Sequence, residues 1–437
     1  MTWSLVVVPA LLFVAGLPIY IVLLTGAAAT LLLFMNVPPI ALHQVMFGGV
    51  DNYALLAVPF FIFAGDLMAR SGIAESLTRW VLGLVGHLRG SLGLAAIGTA
   101  TLLGAVSGSS PAPVAALAQP LYPDLKRSGY GERFSLGLVT SSGSIAIVVP
   151  PSIAMILYGA TAEQSIPRLF LAGIIPGLLL AAVVAVYIVV YARRRNLRTP
   201  AGGEAAATRA EAAASEQRRA GTAGATLEAV VALFMPVLVL GGIYLGLFSP
   251  TEAGGFACLY VILAARFILR SLGWRAIVDS ATQSAYLTAQ VLIIVASAGV
   301  FSWVLSVQGV PQATLGWIAA LDLSPTVFLL AINVFLLLLG CVLDPTSAIL
   351  VLTPILMPII QHLGIDPIHF GIIMTVNLSL GMFTPPFGLN IFVTQSILGA
   401  RLTEIYRGIL PFFGVQLIAL AAITFVPQLS LLLAEVL

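Results

Sequence analysis

Long runs of apolar residues, separated by short polar breaks, dominate the pattern along the chain. A helix that crosses a bilayer needs about 20 mostly apolar residues. Runs of that kind lie near 3–35, 50–69, 135–160, 169–192, 229–248, 254–271, 283–308, 367–398 and 408–433. A shorter amphipathic stretch at 72–88 is typical of a helix that lies along the membrane surface. The pattern therefore predicts an all-α, polytopic protein embedded in a lipid bilayer.

Two further apolar stretches, 91–123 and 325–362, carry a small polar cluster in the middle. The clusters are SGSSPAP at 107–113 and LDPTSA at 343–348. Each stretch is too long for one spanning helix and too short for two helices joined by a surface loop. We therefore predict two re-entrant hairpins, each made of two half-helices that meet at a tip inside the membrane. Such a tip is tolerated only where protein or a water-filled cavity surrounds it.

Adjacent prolines interrupt two of the long apolar runs. VVPPSIAM (148–155) contains Pro150 and Pro151, and FTPPFGLN (383–390) contains Pro385 and Pro386. Proline lacks the backbone donor and clashes with the preceding turn, so a pair of prolines ends a helix. Residues 135–160 and 367–398 are accordingly predicted as broken helices.

Hairpin and broken helix recur in the same order along the chain, with the proline pairs 235 residues apart, from 150 to 385. We predict a first repeat over 1–192, a cytoplasmic hydrophilic loop over 193–228, an inverting linker helix over 229–253 and a second repeat over 254–437. Because the linker helix inverts the second copy, hairpin 91–123 opens to the cytoplasm and hairpin 325–362 to the periplasm. Inverted repeats with broken helices are typical of secondary transporters.

The hydrophilic segment 191–229 sets the predicted orientation. It begins with Arg193, Arg194 and Arg195, and loops rich in Lys and Arg face the cytoplasm. Counting spans outward places the N-terminus in the cytoplasm and the C-terminus in the periplasm, with Arg168 the one basic residue that disagrees. The N-terminal run lacks the features of a cleaved signal peptide and is predicted as the first spanning helix. The Ala, Glu and Arg content of the segment leaves a surface helix open as an alternative to a solvated linker.

Composition supports a membrane protein and excludes several function classes. The 437 residues are 60% hydrophobic and 8% charged, against about 25% charged in soluble domains. A net charge of +2 without a basic, aromatic-rich patch gives no indication of nucleic-acid binding. The two cysteines form no CxxC motif, the four histidines lack metal-ligand spacing, and nucleotide and hydrolase motifs are missing. We expect no enzyme activity and no organic cofactor, which leaves an ion gradient as the energy source.

A helix that breaks inside the membrane exposes carbonyl groups at one half-helix end and N–H groups at the other. Carbonyl oxygens can coordinate Na⁺, and N–H ends attract carboxylates. The predicted Na⁺ ligands at the tips and breaks are Ser107, Gly108, Ser109, Ser110, Gly143, Ser144, Pro150, Asp344, Thr346, Ser347, Gly381 and Thr384. The predicted substrate-binding residues are Ser110, Pro151, Ser152, Asn377, Pro385, Pro386 and Asn390.

Each of these residues also has a plain structural explanation. Small Gly and Ser residues allow close helix packing in membranes. Asp344 is the strongest single candidate, because a carboxylate deep in the bilayer costs about 3 kcal/mol or more and needs a partner or a function. Its alternative role is the N-cap of the returning half-helix. Asp66 is a weaker candidate, since Arg70 follows four residues later.

Four segments resemble the large membrane subunit of the tripartite ATP-independent periplasmic (TRAP) transporters. They are LLAVPFFIFAGDLMARSGIA (55–74), LGAVSGSSPAPVAALAQPLYPDLKRSGY (103–130), GSIAIVVPPSIAMILYGATAEQSI (143–166) and NLSLGMFTPPFGLNIF (377–392). The resemblance extends over essentially the whole chain in matching order. Only the loop 193–227 looks peculiar to this sequence.

The resemblance implies Na⁺-driven uptake of an organic acid, often a C4-dicarboxylate or a sugar acid, across the bacterial inner membrane. It also implies a periplasmic substrate-binding protein, a separate small four-helix membrane subunit, and an elevator movement of the hairpins and broken helices. It places Na⁺ at the hairpin tips and helix breaks. The main alternative is a stand-alone anion symporter or antiporter of the same architecture. A scaffold or receptor, or an ion channel, would not require inverted helix breaks within one chain.

Overall fold

The computed structural model describes residues 2–35, 37–38, 40–197 and 222–435, and the regular structure in these ranges is helical throughout. The helices of the first half are α1 Thr2–Val14, α2 Ile19–Phe34, α3 Ile40–Val50, α4 Ala57–Arg70, α5 Ile73–Val85, α6 Ser91–Ser107, α7 Pro111–Arg127, α8 Glu132–Val148, α9 Ile153–Ala162 and α10 Ile166–Arg194. A 3₁₀ turn, Tyr53–Leu56, precedes α4.

The second half repeats many of these elements. Its helices are α11 Thr222–Tyr244, α12 Pro250–Leu263, α13 Trp274–Val307, α14 Val310–Ala320, α15 Pro325–Gly340, α16 Pro345–His362, α17 Pro367–Gly381, α18 Leu389–Leu398, α19 Leu402–Phe425 and α20 Gln428–Ala434. Helix α12 continues into a π-helical turn, Ala264–Ile268. In the described ranges, six helices are long and apolar enough to cross a bilayer, or seven when α8 and α9 count as one bent span.

The predicted hairpins and breaks are present. Helices α6 and α7 are separated by residues 108–110, and α15 and α16 by residues 341–344. The first proline pair separates α8 from α9 with a bend of 41°, and the second separates α17 from α18. Both Pro–Pro peptide bonds are cis.

Contacts at the helix ends establish that the two broken helices run in opposite directions. Arg133, in the first turn of α8, lies 2.7 Å from Glu404 in the first turn of α19, just beyond the end of α18. At the opposite end, the hydroxyl of Tyr158 in α9 donates to the carbonyl of Pro367, where α17 begins, at 2.7 Å. The start of one broken helix therefore meets the end of the other at both faces. Each hairpin ends shortly before a broken helix begins: α7 is followed by α8, and α16 by α17. Because α8 and α17 begin at opposite faces, the two hairpins open to opposite faces.

Helix packing has the same symmetry. Helices α6 and α7 pack on α8, as α15 and α16 pack on α17. Helix α7 also packs on α18, and α16 packs on α9. The second arm of each hairpin thus lies against the second half of the other broken helix. The predicted fold class, an all-α inverted-topology repeat with two hairpins and two broken helices, is confirmed.

The first apolar run, 3–35, does not form the single spanning helix that the sequence predicts. A turn with Gly16 at φ +80° separates α1 from α2. A methyl group on Gly26 would lie 2.6 Å from Cγ of Pro9, so α1 folds back along α2. Glycine adopts a positive φ without a Cβ clash, and Pro18 then sets the start of the next helix. The single-helix prediction is wrong because the turn is itself made of apolar residues.

Three predicted boundaries also differ from the structure. Helix α11 begins at Thr222, earlier than the predicted start of the linker helix at 229, and α10 includes Arg193 and Arg194. Residues 198–221, the centre of the predicted hydrophilic loop, lie outside the described ranges. The last predicted span, 408–433, ends at Phe425, because Pro427 precedes the short helix α20.

Candidate ion and substrate site

The tip of the first hairpin lies directly against the first helix break. Gly108 follows the end of α6 with φ +57°, and a methyl group there would lie 2.8 Å from the carbonyl oxygen of Pro151. The N–H of Ser109 donates to the hydroxyl of Ser107 at 3.4 Å. Ser152, which is fully buried, caps α9 by accepting the N–H of Met155 at 3.4 Å. Tip and break therefore form one buried cluster of hydroxyl and backbone oxygens.

The hairpin tip is also in close contact with helix α8. A methyl group on Gly143 would overlap the carbonyl oxygen of Ser110 and lie 2.8 Å from Nδ2 of Asn390. Only a glycine allows the tip to approach this closely. The structure therefore brings Gly143 and Ser110 together, as the sequence predicts, and adds Asn390 from the opposite repeat.

Asn390 joins the two repeats. Its Nδ2 donates to the hydroxyl of Ser110 at 2.8 Å and to the carbonyl of Thr140 at 3.3 Å. Its backbone N–H donates to the carbonyl of Met382 at 2.9 Å, across the second helix break. The side chain is fully buried, and its Oδ1 has no hydrogen-bond partner among the described residues. A buried carbonyl oxygen without a partner is unfavourable and suits a ligand that supplies a donor or a cation.

Two threonines extend this cluster and are absent from the sequence prediction. The hydroxyls of Thr140 and Thr394 lie 2.9 Å apart, and both residues are fully buried. Thr140 precedes Gly143 by one turn of α8, and Thr394 follows Asn390 by one turn of α18. A search for hydroxyl residues one helical turn from each predicted ligand would have found both.

Ser144 faces a different neighbour. Its hydroxyl lies 2.7 Å from the carbonyl of Ser141 and 2.8 Å from Oε1 of Gln416 in α19. Gln416 is fully buried, and its Nε2 lacks a partner in the described part of the chain. Although Ser144 adjoins Gly143 in sequence, its described hydrogen bonds connect α8 to α19 rather than to the hairpin tip.

At the tip of the second hairpin, Asp344 caps helix α16. Its carboxylate accepts the N–H of Ser347 at 3.1 Å and the hydroxyl of Ser347 at 2.5 Å. Asp344 and Thr346 are half-buried, whereas Ser347 is fully buried. The capping alternative for Asp344 is therefore realised, and each of its two carboxylate oxygens accepts one hydrogen bond from Ser347.

The second helix break repeats the close approach found in the first. Gly381 contacts the backbone of Gly340 at the end of α15, where a methyl group would overlap it. The corresponding pair in the first repeat is Gly104 of α6 against Ala146 of α8. The hydroxyl of Thr384 donates back to the carbonyl of Leu380 at 2.7 Å.

The two breaks differ in exposure. Pro150 and Pro151 are buried, whereas Pro385 is half-buried and Pro386 is exposed. The carbonyl of Pro386 accepts the hydroxyl of Tyr406 at 3.1 Å. The first break is thus enclosed by protein, and the second reaches the surface of the chain near the start of α19.

Asn377 lies in a separate polar seam. Its Nδ2 donates to Oδ1 of Asn333 in α15 at 2.6 Å, and Nδ2 of Asn333 lies 3.2 Å from the hydroxyl of Thr424 in α19. This seam ties α17 to the hairpin and to α19. Its described hydrogen bonds do not reach Asn390 or Ser110, so the structure does not group Asn377 with the other predicted substrate residues.

The combined donor set is rich in oxygen. In the described ranges, no group of three His, Cys, Asp or Glu side chains could hold a metal ion. Hydroxyl, amide and main-chain carbonyl oxygens are instead the ligands that hard cations prefer. The unpartnered Oδ1 of Asn390 fits such a cation.

Comparison with known proteins gives a consistent family assignment. A family model described as "Tripartite ATP-independent periplasmic transporter, DctM component" matches residues 6–429. The C4-dicarboxylate TRAP transporter large permease protein DctM of Pseudomonas aeruginosa is 39% identical, with 93% of this chain and 92% of that protein covered. The ectoine/5-hydroxyectoine TRAP transporter large permease protein UehC of Ruegeria pomeroyi is 36% identical, with 97% and 96% covered.

A third relative is longer than this chain. The isethionate TRAP transporter permease protein DctMQ of Oleidesulfovibrio alaskensis is 35% identical over 97% of this chain but only 65% of its own length. Among solved structures, the Alcanivorax borkumensis YdaH transporter aligns with a TM-score of 0.61 over 97% of this chain and 99% of that chain. At 16% identity, that match concerns the fold alone.

These relatives are named as permeases, which confirms a transport protein rather than an enzyme. The resemblance seen in the sequence segments is confirmed over almost the entire chain. The chain belongs to the DctM family, the large permease component of the TRAP transporters.

Proposed function

We propose that this permease couples the inward movement of Na⁺ to the import of an organic acid across a bacterial inner membrane. The observation that carries the proposal is the buried cluster around Asn390. There the first hairpin tip, the first broken helix and the start of α18 meet through Ser110, Gly143 and Asn390. A cation or substrate at this junction contacts elements of both repeats.

The donor chemistry favours Na⁺ as the coupling ion. Hydroxyls of Ser107, Ser109 and Ser110, together with carbonyls around Gly143 and Pro150, would hold it in the first repeat. Asp344, Thr346 and Ser347 with the carbonyls around Gly381 and Thr384 would do so in the second. Bound Na⁺ supplies the positive charge that offsets a substrate anion in a low-dielectric interior.

The substrate is proposed to be a carboxylate. Relatives are named for C4-dicarboxylates and for 2,3-diketo-L-gulonate. In this chain, α9 begins at Ile153 and α18 at Leu389, beside the two proline pairs, and an acid group would be attracted to the positive ends of these helices. Asn390 and the residues around both proline pairs would orient it.

An elevator movement is consistent with the packing. Helices α2, α3 and α4 pack on α13, and α4 also packs on α12, which together form the proposed scaffold. The hairpins and broken helices would move against this scaffold with a small four-helix membrane subunit beside it. A periplasmic binding protein would deliver the substrate, with the end that carries Arg133 and Glu404 in the cytoplasm.

Uptake by proteoliposomes tests the function. Purified permease and its small subunit are reconstituted together. The substrate is an acid that stabilises the binding protein in a thermal-shift screen, and it is added in labelled form as a complex with that protein. We expect uptake with an inward Na⁺ gradient and at most a few per cent of that rate with K⁺ alone. Equal rates in Na⁺ and K⁺ would contradict Na⁺ coupling. Full uptake without the binding protein would identify a stand-alone symporter or antiporter instead.

A further inference from the structure

A cavity that includes none of the candidate ion-site residues lies at the end of α10. Its volume is about 440 Å³, and it is lined by His87, Leu88, Arg89, Val189 and Arg193. The turn between α5 and α6 forms one wall, and the last turns of α10 form the other. A methyl group on Gly90 would lie 3.1 Å from Cβ of Ala192, so the turn packs firmly on this helix.

The cavity carries cationic side chains without acidic partners. Arg89 and Arg193 are both exposed, and neither has a carboxylate within 4.0 Å among the described residues. Arg70 and Arg127, by contrast, are paired, Arg70 with Asp66 at 2.7 Å and Arg127 with Asp124 at 3.3 Å. The partial negative charge at the C-terminus of α10, about half an elementary charge, is smaller than the charge of the two guanidinium groups. The cavity therefore has the electrostatics of an anion site.

Apolar surface surrounds these cations. Leu88 is 41% exposed and Leu84, at the end of α5, is 55% exposed. Val189 lines the cavity within the apolar part of α10. Arginine side chains near the end of a membrane helix direct their charge to the headgroup region while their stems contact hydrocarbon. A ligand that fills this site needs an anionic head and an apolar body.

We propose that this cavity binds the phosphate group of an anionic phospholipid. Arg89 and Arg193 hold the phosphate from two different elements, the turn before the first hairpin and the last turn of α10. Arginine suits this role because its planar guanidinium group binds phosphate oxygens through two parallel hydrogen bonds. Leu88 and Val189 contact the glycerol and the first part of the acyl chains. The bound lipid then joins the base of α6 to α10.

Native mass spectrometry in a neutral detergent tests the proposal, because no membrane surface potential is present. The probes are phosphatidylglycerol, phosphatidylcholine of the same acyl chains, and soluble glycerol 3-phosphate. The site variant is Arg89→Ala/Arg193→Ala, and the matched control is Arg194→Ala/Arg195→Ala. The control removes the same number of positive charges beside Arg193 at the end of α10, but its residues do not line the cavity.

We expect phosphatidylglycerol to bind the unaltered protein at least tenfold more tightly than phosphatidylcholine. The site variant should lose about 30-fold in affinity for phosphatidylglycerol, and the control no more than threefold. Equal losses in both variants, or equal binding of the two lipids, would overturn the proposal. Glycerol 3-phosphate binding as tightly as phosphatidylglycerol would identify a site for a soluble anion instead. Unchanged thermal unfolding of both variants without lipid establishes that they fold.

Discussion

Nδ2 of Asn390 lies 2.8 Å from the hydroxyl oxygen of Ser110, although 280 positions separate the two residues in sequence. Ser110 belongs to the tip of the first hairpin, and Asn390 to the first turn of the second half of the other broken helix. This hydrogen bond is therefore a direct connection between the inverted repeats at the candidate site. Any ligand that displaces it changes the contact between the two halves.

Replacement of Asn390 by alanine tests this connection. The substitution removes the amide that donates to the buried Ser110 hydroxyl and leaves that hydroxyl oxygen without its donor, which costs about 1–3 kcal/mol. We expect a lower thermal unfolding midpoint and at least a tenfold lower uptake rate in proteoliposomes. Ser396→Ala, on the exposed face of the same helix, is the control and should leave both unchanged. Uptake by Asn390→Ala at the control rate would remove Asn390 from the site.

Gly143→Ala tests the close approach of the hairpin tip to α8. The added methyl group overlaps the carbonyl of Ser110, so the tip has to shift away from the break. We expect the Na⁺ concentration for half-maximal uptake to rise at least tenfold. Gly414→Ala serves as the matched control, because a methyl group there meets no atom within 4 Å. If both variants respond to Na⁺ alike, the tip contact does not shape the cation site.

Two substitutions at Asp344 separate capping from charge. Asp344→Asn keeps a side-chain oxygen that can cap α16 but removes the negative charge, whereas Asp344→Ala removes both. Loss of an N-cap costs about 1 kcal/mol. We expect Asp344→Ala alone to lower the unfolding midpoint, and both variants to weaken the Na⁺ response of uptake. A normal Na⁺ response in Asp344→Asn would make Asp344 a cap only.

Cysteine labelling tests the orientation in the membrane. Both native cysteines, Cys258 and Cys341, are buried and give a low background with a membrane-impermeant maleimide. Single cysteines replace Arg194, at the end of α10, and Glu163, beyond the end of α9; both positions are exposed. We expect Glu163→Cys to react in intact cells, and Arg194→Cys only after permeabilisation. The reverse pattern would invert the proposed topology.

The helix breaks could be predicted from the sequence because proline ends a helix through its own backbone, whatever residues surround it in the fold. Pro150-Pro151 and Pro385-Pro386 remove donors wherever they stand, so the ends of α8 and α17 follow from the residues alone. The turn at Gly16 could not be predicted, because its neighbours carry no polar or paired-proline signal. It lies within an apolar run, and hydropathy does not distinguish a span from two short helices that fold back on each other.

The direction of individual side chains could not be predicted. Every residue of α8 from Phe134 to Val148 is buried, so no polar face identifies which hydroxyl points to the hairpin tip. Ser144 and Gly143 are neighbours in sequence, yet Ser144 bonds to Gln416 and Gly143 meets Ser110. Proximity to the break predicts Asn377 as a substrate residue, and the sequence gives no sign of its hydrogen bond to Asn333.

The crossed packing of hairpin arms and half-helices has a consequence for biosynthesis. Ribosomes add about 5–20 residues per second, so Asn390 is added roughly 15–55 s after Ser110. During that interval the first hairpin is already made, but the face of α7 that packs on α18 is uncovered and the Ser110 hydroxyl lacks its amide partner. Until the second repeat is made, the Ser110 hydroxyl and this face of α7 have other neighbours than in the folded chain. Completion of the candidate site is thus among the last events of synthesis.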